Sequence, residues 1–302
     1  MGDLLTAGLF RQMLRSATPV GLAAMGGLMT EHAGIMNIGM DGMILLGAFT
    51  AVAGSAWLGL AAAILVGILA GLFFALFVVK LKSDEFIIGT ALNIFAGGLT
   101  VFLLRALFQV KGTFQGTPDR PVMGLPQVDL GALKRIPILG EILDGSSLFV
   151  FLTWGLVLLM WCFIYRTPWG FWIRAAGEAP RTLQTAGISP GKMKWLSSVL
   201  CGAFCGMAGA QLALGNVTMF SEGMSNSRGY VAFACVIFGA ANPGKAYLAA
   251  LMFGFFDALG YRLQDYHINA NLTSMIPYVI TVVMMVYVVV RSQKKKQRAP
   301  AS

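Results

Sequence analysis

The sequence predicts an all-α, polytopic membrane protein of about nine transmembrane helices, with broken or re-entrant segments and an inverted repeat. Three observations predict it: an apolar composition, a succession of apolar runs of spanning length, and two polar breaks that resemble each other. Of 302 residues, 57% are hydrophobic and 12% are charged. A soluble domain carries roughly 25% charged residues. The mean hydropathy is +0.74. The net charge of +9 does not indicate nucleic-acid binding. Much of it lies in the polar stretch Arg166 to Lys194 and in the tail Arg291 to Arg298, where it fits the positive-inside rule and contact with anionic lipid.

A helical span needs about 20 apolar residues. Segments that qualify run roughly over 9–29, 40–58, 59–79, 86–108, 148–165, 195–215, 225–241, 244–260 and 273–290. Lipid offers no water to unpaired backbone groups, so these are helices. The N-terminus lacks the basic start, apolar core and small-residue cleavage site of a signal peptide. The basic tail, 291–302, puts the C-terminus in the cytoplasm. Alternating backward, 166–194 and Lys80 to Glu85 are cytoplasmic, 109–146 is an irregular external loop, and the N-terminus is external. The whole of 1–302 then forms a single transmembrane domain.

Small residues recur every four positions on several helices. Ala63, Gly67, Gly71 and Ala75 form one stripe, Gly202, Gly206 and Ala210 another, and Ala250, Gly254 and Ala258 a third. Such stripes let helix backbones approach closely and say nothing of substrate. Cys162, Cys201, Cys205 and Cys235 fall inside apolar segments without zinc-type spacing, and read as buried small residues.

The two polar breaks are Asn37-Ile-Gly-Met-Asp-Gly-Met43 and Asn216-Val-Thr-Met-Phe-Ser-Glu-Gly-Met224. Each has an Asn, a spacer, then acid-Gly-Met, and each follows a Gly/Ala-rich helix. By the alternation above they face opposite sides of the membrane, the pattern of an inverted repeat. Broken helices at membrane depth are tolerated where they line a cavity, and half-helix ends present polar backbone groups to a solute. Asp41 and Glu222 equally suit plain helix N-caps. Asn93 lies about 10–12 Å into its span. A buried carboxamide there must bond either a neighbouring helix or a passing solute. Asn37, Asp41, Asn93, Phe95, Asn216, Thr218, Phe220 and Glu222 are the candidate pathway residues. Together they offer amide and hydroxyl groups and apolar faces.

Gly239-Ala-Ala-Asn-Pro-Gly-Lys245 matches a phosphate-binding P-loop except at Ala246, where Ser or Thr would hold magnesium. It lies between two apolar helices and reads as a turn. His32 and His267 are isolated, and no catalytic constellation is visible, so the chain reads as neither an ATPase nor an enzyme.

The stretch 166–194, RTPWGFWIRAAGEAPRTLQTAGISPGKMK, is a polar island between apolar segments. Thr167-Pro168 and Ser189-Pro190 read as helix starts, and Gly187 as a helix stop. The spacing predicts an interfacial turn around Trp169 and Trp172, a short helix near Arg181–Ala186, and then the next span. A short, capped, basic helix with no core of its own reads as a docking element for a cytoplasmic partner.

EHAGIMNIGMDGMILLGAF (31–49) strongly resembles the motif region of bacterial ABC-transporter permeases of the branched-chain amino acid, ribose and nucleoside group. SDEFIIGTALNIFAGGLTVFLLR (83–105) looks like its nucleoside-type branch, often labelled simple-sugar permease. GFWIRAAGEAPRTLQTAGI (170–188) looks like that family's cytoplasmic coupling loop. The resemblance runs from about residue 20 to 290. It implies an importer permease in the bacterial inner membrane, moving a nucleoside or similar small polar solute by ATP-driven alternating access. The implied partners are a second related permease, a cytoplasmic ATPase that holds the ATP and magnesium, and an extracytoplasmic solute-binding lipoprotein. This chain would carry no cofactor. Arg174, Glu178, Pro180, Arg181 and Gly187 would shape the loop that meets the ATPase. Asp41 stands where many members have Glu, and His32 where Arg is common. Simple-sugar and branched-chain amino acid importers share the scaffold. An ion-coupled secondary transporter would also suit broken helices, but it would want ionisable groups at mid-membrane and gives the island no task.

Overall fold

The computed structural model describes residues 7–117, 120–128 and 146–264, together with 275 and 279. Apart from those two positions, the predicted span 273–290 and the basic tail 291–302 lie outside the described residues. So do 1–6, His267 and the stretch 129–145 of the predicted external loop.

The described chain is a helical bundle. In order it contains α1 (Ala7–His32), α2 (Met40–Ala51), α3 (Ala56–Ala75), α4 (Glu85–Phe108), α5 (Leu148–Arg166), α6 (Pro168–Glu178), α7 (Pro180–Thr185), α8 (Pro190–Ala210), α9 (Arg228–Phe238) and α10 (Pro243–Gln264). Wide π-helical turns extend α3 through Leu76–Lys80 and α8 through Gln211–Val217. Among the described residues, four helices are long and apolar enough to cross a membrane: Ala56–Lys80, Glu85–Phe108, Leu148–Arg166 and Pro190–Val217. Met40–Ala51 and Arg228–Phe238 are apolar but shorter. α1 rises about 39 Å and is buried along most of its length, so it forms an inner wall.

Two predicted boundaries are corrected. The expected span 40–58 stops at Ala51, and α3 begins at Ala56 rather than near 59. Gly54 and Ser55 interrupt the run, with Ser55 in an extended conformation at the start of α3. A helix of 12 residues rises about 18 Å, well short of a bilayer core. The expected span 225–241 likewise contains a helix of 11 residues, preceded by a polar turn in which Asn226 and Ser227 hold positive φ.

The small-residue stripes set the packing. Those of α3 and α8 face each other backbone to backbone. A Cβ on Gly67 would strike the Gly202 carbonyl, and one on Gly206 would strike that of Ala63. The body of α2 seats on the same helix: a Cβ on Gly209 would meet the Ile44 carbonyl and lie 2.5 Å from the Ala48 nitrogen. Gly254 of α10 packs on α1, where a Cβ would lie 2.6 Å from the Met13 carbonyl oxygen. α2, enclosed by α3, α4, α8 and α9, is buried at every position except Asp41 and Thr50.

The connection after α4 takes part in short antiparallel pairs. β1 (Thr113–Phe114) pairs with β6 (Phe220–Ser221), β2 (Gly116–Thr117) with β3 (Arg120–Pro121), and β4 (Gln127–Val128) with β5 (Ser146–Ser147). The first pair closes a buried aromatic group over the end of α2. Phe49 packs edge-on to Phe220 at 5.2 Å, and Phe108 stacks on Phe114 at 3.9 Å.

Candidate functional site

The two short helices meet N-terminus to N-terminus. Gly229, in the first turn of α9, lies against the Asp41 backbone so closely that a Cβ would overlap it. Asp41 in turn accepts the Gly229 N–H on Oδ1 at 3.0 Å and the Ser225 hydroxyl on Oδ2 at 3.0 Å. One carboxylate therefore serves two helix starts, sitting in the first turn of α2 and capping α9 from across the bundle. Two positive helix ends converge here, and the negative charge between them offsets both.

Asn93 of α4 completes the junction. Its Oδ1 accepts the Gly42 N–H at 2.7 Å. Its Nδ2 donates to the Ile38 carbonyl at 3.1 Å and to the Tyr230 hydroxyl at 2.8 Å. The carboxamide satisfies one orphan amide of α2 and one carbonyl of the preceding turn. Both of its N–H groups are used, but the Tyr230 hydroxyl accepts and keeps its own proton free to donate. Tyr230 is 42% exposed, so that donor faces an open side of the bundle.

The other candidate residues sit elsewhere. Asn37 is buried in the turn before α2, where its Oδ1 accepts the Gly39 N–H at 3.0 Å and its amide donates to Cys201 Sγ at 3.3 Å. Asn216 donates to the Arg15 carbonyl at 3.3 Å and accepts from Gln211. Pro19, four residues after Arg15 in α1, has no N–H to offer that carbonyl. Asn216 supplies the missing donor. Phe220 is fully buried in the aromatic group, Thr218 is exposed with φ 50, and Phe95 is 56% exposed on the outer face of α4. Glu222 lies at the rim, accepting the Gly112 N–H at 3.1 Å with Arg105 at 4.0 Å. Of the eight candidates, the structure brings together Asp41 of α2 and Asn93 of α4, which bonds the adjacent Gly42. Sequence reasoning missed Ser225, Gly229 and Tyr230; the polar run Ser225-Asn226-Ser227 ahead of an apolar segment was the available signal.

The island folds as capped helices. Thr167 accepts the Gly170 N–H at 3.2 Å, with Pro168 in the first turn of α6. The predicted interfacial turn around Trp169 and Trp172 is therefore helical through Glu178. Gly170, Ile173 and Ala176 form its buried face, a three-residue spacing that marks an amphipathic helix. α7 begins at Pro180 and ends before Gly187, whose φ is +80. Leu183 anchors α7, while Glu178, Pro180's neighbour Arg181, and Gly187 are exposed. Arg174 is half-buried over the Tyr165 ring at 5.3 Å. His32, beyond the apolar part of α1, is hydrogen-bonded to the Ala241 carbonyl at 2.9 Å. Burial holds its imidazole below the usual value, and nearby Arg174 adds to that, against the Ala241 hydrogen bond and Glu178. Gly239–Lys245 is the turn between α9 and α10, with Ala240 and Ala241 at φ 48 and 54.

A cleft of about 570 Å³ lies between the island and the α3–α4 loop, lined by Gly34, Lys82, Glu85, Pro180 and Lys194 among others. Among the described residues no group of three His, Cys, Asp or Glu could hold a metal ion.

Apolar helices, a polar half-helix junction and an exposed capped island define a multi-pass membrane permease. Residues 9–286 match the family described as branched-chain amino acid transport system, permease component, and the chain belongs to it. It is 30% identical over 325 residues to a putative glucose ABC transporter permease protein of Haloferax volcanii, covering 98% of this chain and 96% of that one. It is 30% identical over 296 residues to a guanosine ABC transporter permease protein of Bacillus subtilis, covering 93% and 91%. It is 32% identical over 289 residues to a nucleoside ABC transporter permease protein of Lactococcus lactis, covering 90% and 89%. No solved structure matches the chain. The chain is thus a permease subunit of an ABC-type importer, a class built from paired permeases, a cytoplasmic ATPase and an extracytoplasmic solute-binding protein. It is a transport subunit, and in this class of transporter ATP and magnesium are used by the partner ATPase.

Proposed function

We propose that the chain forms half of a translocation path for a nucleoside or similar small polar solute, moved by ATP-driven alternating access. The observation that carries this reading is the junction of Asp41, Asn93, Gly229 and Tyr230, where two half-helices start toward each other inside an apolar bundle. Asn93 is eight residues past the start of α4, about 12 Å deep. A half-buried Asn93 bonded to an exposed Tyr230 at that depth is costly against lipid and useful beside a polar path. Tyr230 offers a free hydroxyl proton and an aromatic face, which suit ribose hydroxyls and a base. The guanosine and nucleoside relatives support the nucleoside. The glucose relative favours a second reading, a simple sugar on the same scaffold.

The converging half-helices also support an inverted repeat within a single nine-span domain. In this topology 166–194 is the cytoplasmic coupling loop, 109–146 is external and the C-terminus is cytoplasmic. Arg174, Glu178, Pro180, Arg181 and Gly187 then form the surface that meets the ATPase; α7, exposed and anchored by Leu183, supports that role. Asn37, Phe95, Asn216, Thr218, Phe220 and Glu222 flank or frame the path.

Uptake assays on the reconstituted complex, with its binding protein, test both parts. A nucleoside should stimulate ATP hydrolysis where pentoses and leucine do not; stimulation by a sugar alone would replace the solute class. Charge reversal at both Arg174 and Arg181 should abolish uptake and ATPase co-purification while the permease stays folded. Normal uptake would remove the coupling role.

A further inference from the structure

The island and the half-helix junction are joined by one short stretch of chain, residues 33–42. α1 ends at His32, and just beyond it Gly34, with φ +69, donates to the Glu31 carbonyl while Ile35 donates to that of Thr30, a left-handed helix stop. At that point the backbone touches the island: a Cβ on Gly34 would lie 3.1 Å from Gly177 Cα, and one on Gly177 would lie 2.8 Å from the Gly34 nitrogen and overlap the His32 carbonyl. No side chain intervenes to cushion the contact. The next residues are held by α8 and α4. The Met36 backbone lies beside the Glu85 carboxylate of α4. Asn37 bonds Cys201 of α8, and the Ile38 carbonyl bonds Asn93 of α4. Three residues later, Asp41 holds α9.

Seven residues lie between Gly34 and Gly42, and Asn37, Ile38 and Asp41 among them are tied by hydrogen bonds to α8, α4 and α9. That leaves little free chain between the Gly34–Gly177 contact on α6 and the first turn of α2. That turn lies outside the glycine seam. The contacts that seat α2 on α8 are made at Ile44, Gly47 and Ala48, while residues 39–42 pack on Gly89, Leu92 and Asn93 of α4. The body of α2 is thus held by backbone contacts to α8, and its first turn by close backbone contacts to α4 and α9 together with the hydrogen bonds of Asp41 and Asn93.

We propose that residues 34–42 are the linkage that carries motion of the island to the junction, with Gly34–Gly177 as its input and Asp41–Gly229 as its output. Gly34, Gly177, Asp41, Ser225 and Gly229 are positioning residues, acting through others and not on solute. The proposal rests on the reading of the island as the coupling surface.

The test uses the complete transporter in proteoliposomes, measuring ATPase co-purification, ATP hydrolysis and solute moved per ATP. Gly177→Ala forces the input apart, and Gly229→Ala forces the output apart. Both complexes should assemble and hydrolyse ATP, with solute per ATP falling at least about tenfold. Ser225→Ala removes one of the two bonds to Asp41 without adding volume and should lower the ratio about two- to fivefold; Ser225→Thr, which keeps the hydroxyl, should restore it. An unchanged ratio in assembled Gly177→Ala and Gly229→Ala complexes overturns the linkage. If the glycine variants fail to assemble, the Ser225 pair decides, and an unchanged ratio in Ser225→Ala overturns it. Failure of the coupling-surface reading shows separately, as normal ATPase co-purification in the Arg174 and Arg181 reversals.

Discussion

Asp41 and Glu222 occupy the same place in two matching stretches of sequence, yet they serve different structures. Asp41 is turned inward and bonds a backbone amide 188 residues away, joining two half-helices. Glu222 stays at the rim, where its partners are the exposed Arg105 and the Gly112 amide of the neighbouring connection. The acid-Gly-Met pattern marks where a helix is interrupted. What the acid does there depends on which donors the rest of the fold delivers. In the first break these are the converging start of α9 and a serine; in the second they are a solvated guanidinium and a loop.

This contrast can be broken at several points. The largest effect is expected for Asp41→Ala. It leaves the Gly229 amide and the Ser225 hydroxyl without their acceptor, which costs about 2–4 kcal/mol as a lost cap and an unpaired buried donor. Uptake should be abolished and thermal unfolding should move sharply down. An intact melting profile would show that α9 needs no cap from α2. Next comes Asn93→Ala, which frees the Gly42 amide and the Ile38 carbonyl at about 1–3 kcal/mol. Because Tyr230 also loses its partner, solute selectivity or uptake rate should change as well as stability; an effect limited to melting would make Asn93 purely a brace. The smallest is Glu222→Gln. A solvated pair contributes about 0–1 kcal/mol, so melting and uptake should stay close to the parent. A loss as large as that of Asp41→Ala would erase the distinction between the two breaks.

Much of this arrangement was legible in the sequence, for physical reasons that can be named. A four-residue spacing of Gly and Ala survives folding unchanged, so the stripes through Gly67 and Gly206 announced the seam they form. Thr167-Pro168, Ser189-Pro190 and Gly187 announced helix ends in the island because caps are local. The short length of α2 was hidden, since the apolar run from 40 to 79 continues almost unbroken across Gly54 and Ser55. The start of α6 at Thr167-Pro168 was legible, but not its run through Glu178, because two of the three residues on its buried face, Gly170 and Ala176, are too small to mark an apolar stripe. The cap on α9 had no local signal at all, because its donor is a backbone N–H and its acceptor comes from the other half of the chain. Asn216 is similar: its partner is a carbonyl set free by Pro19, and only the fold brings the two together.

The backbone seam of α2, α3 and α8 has a mechanical corollary. Helices that touch through side chains can slide by exchanging rotamers, as gear teeth slip a notch. Here Gly67, Gly202, Gly206 and Gly209 present bare backbone to backbone, with no teeth to slip. The spacing of these three helices is therefore set by the backbone itself, and any side chain larger than hydrogen at those four positions would have to wedge the bundle apart.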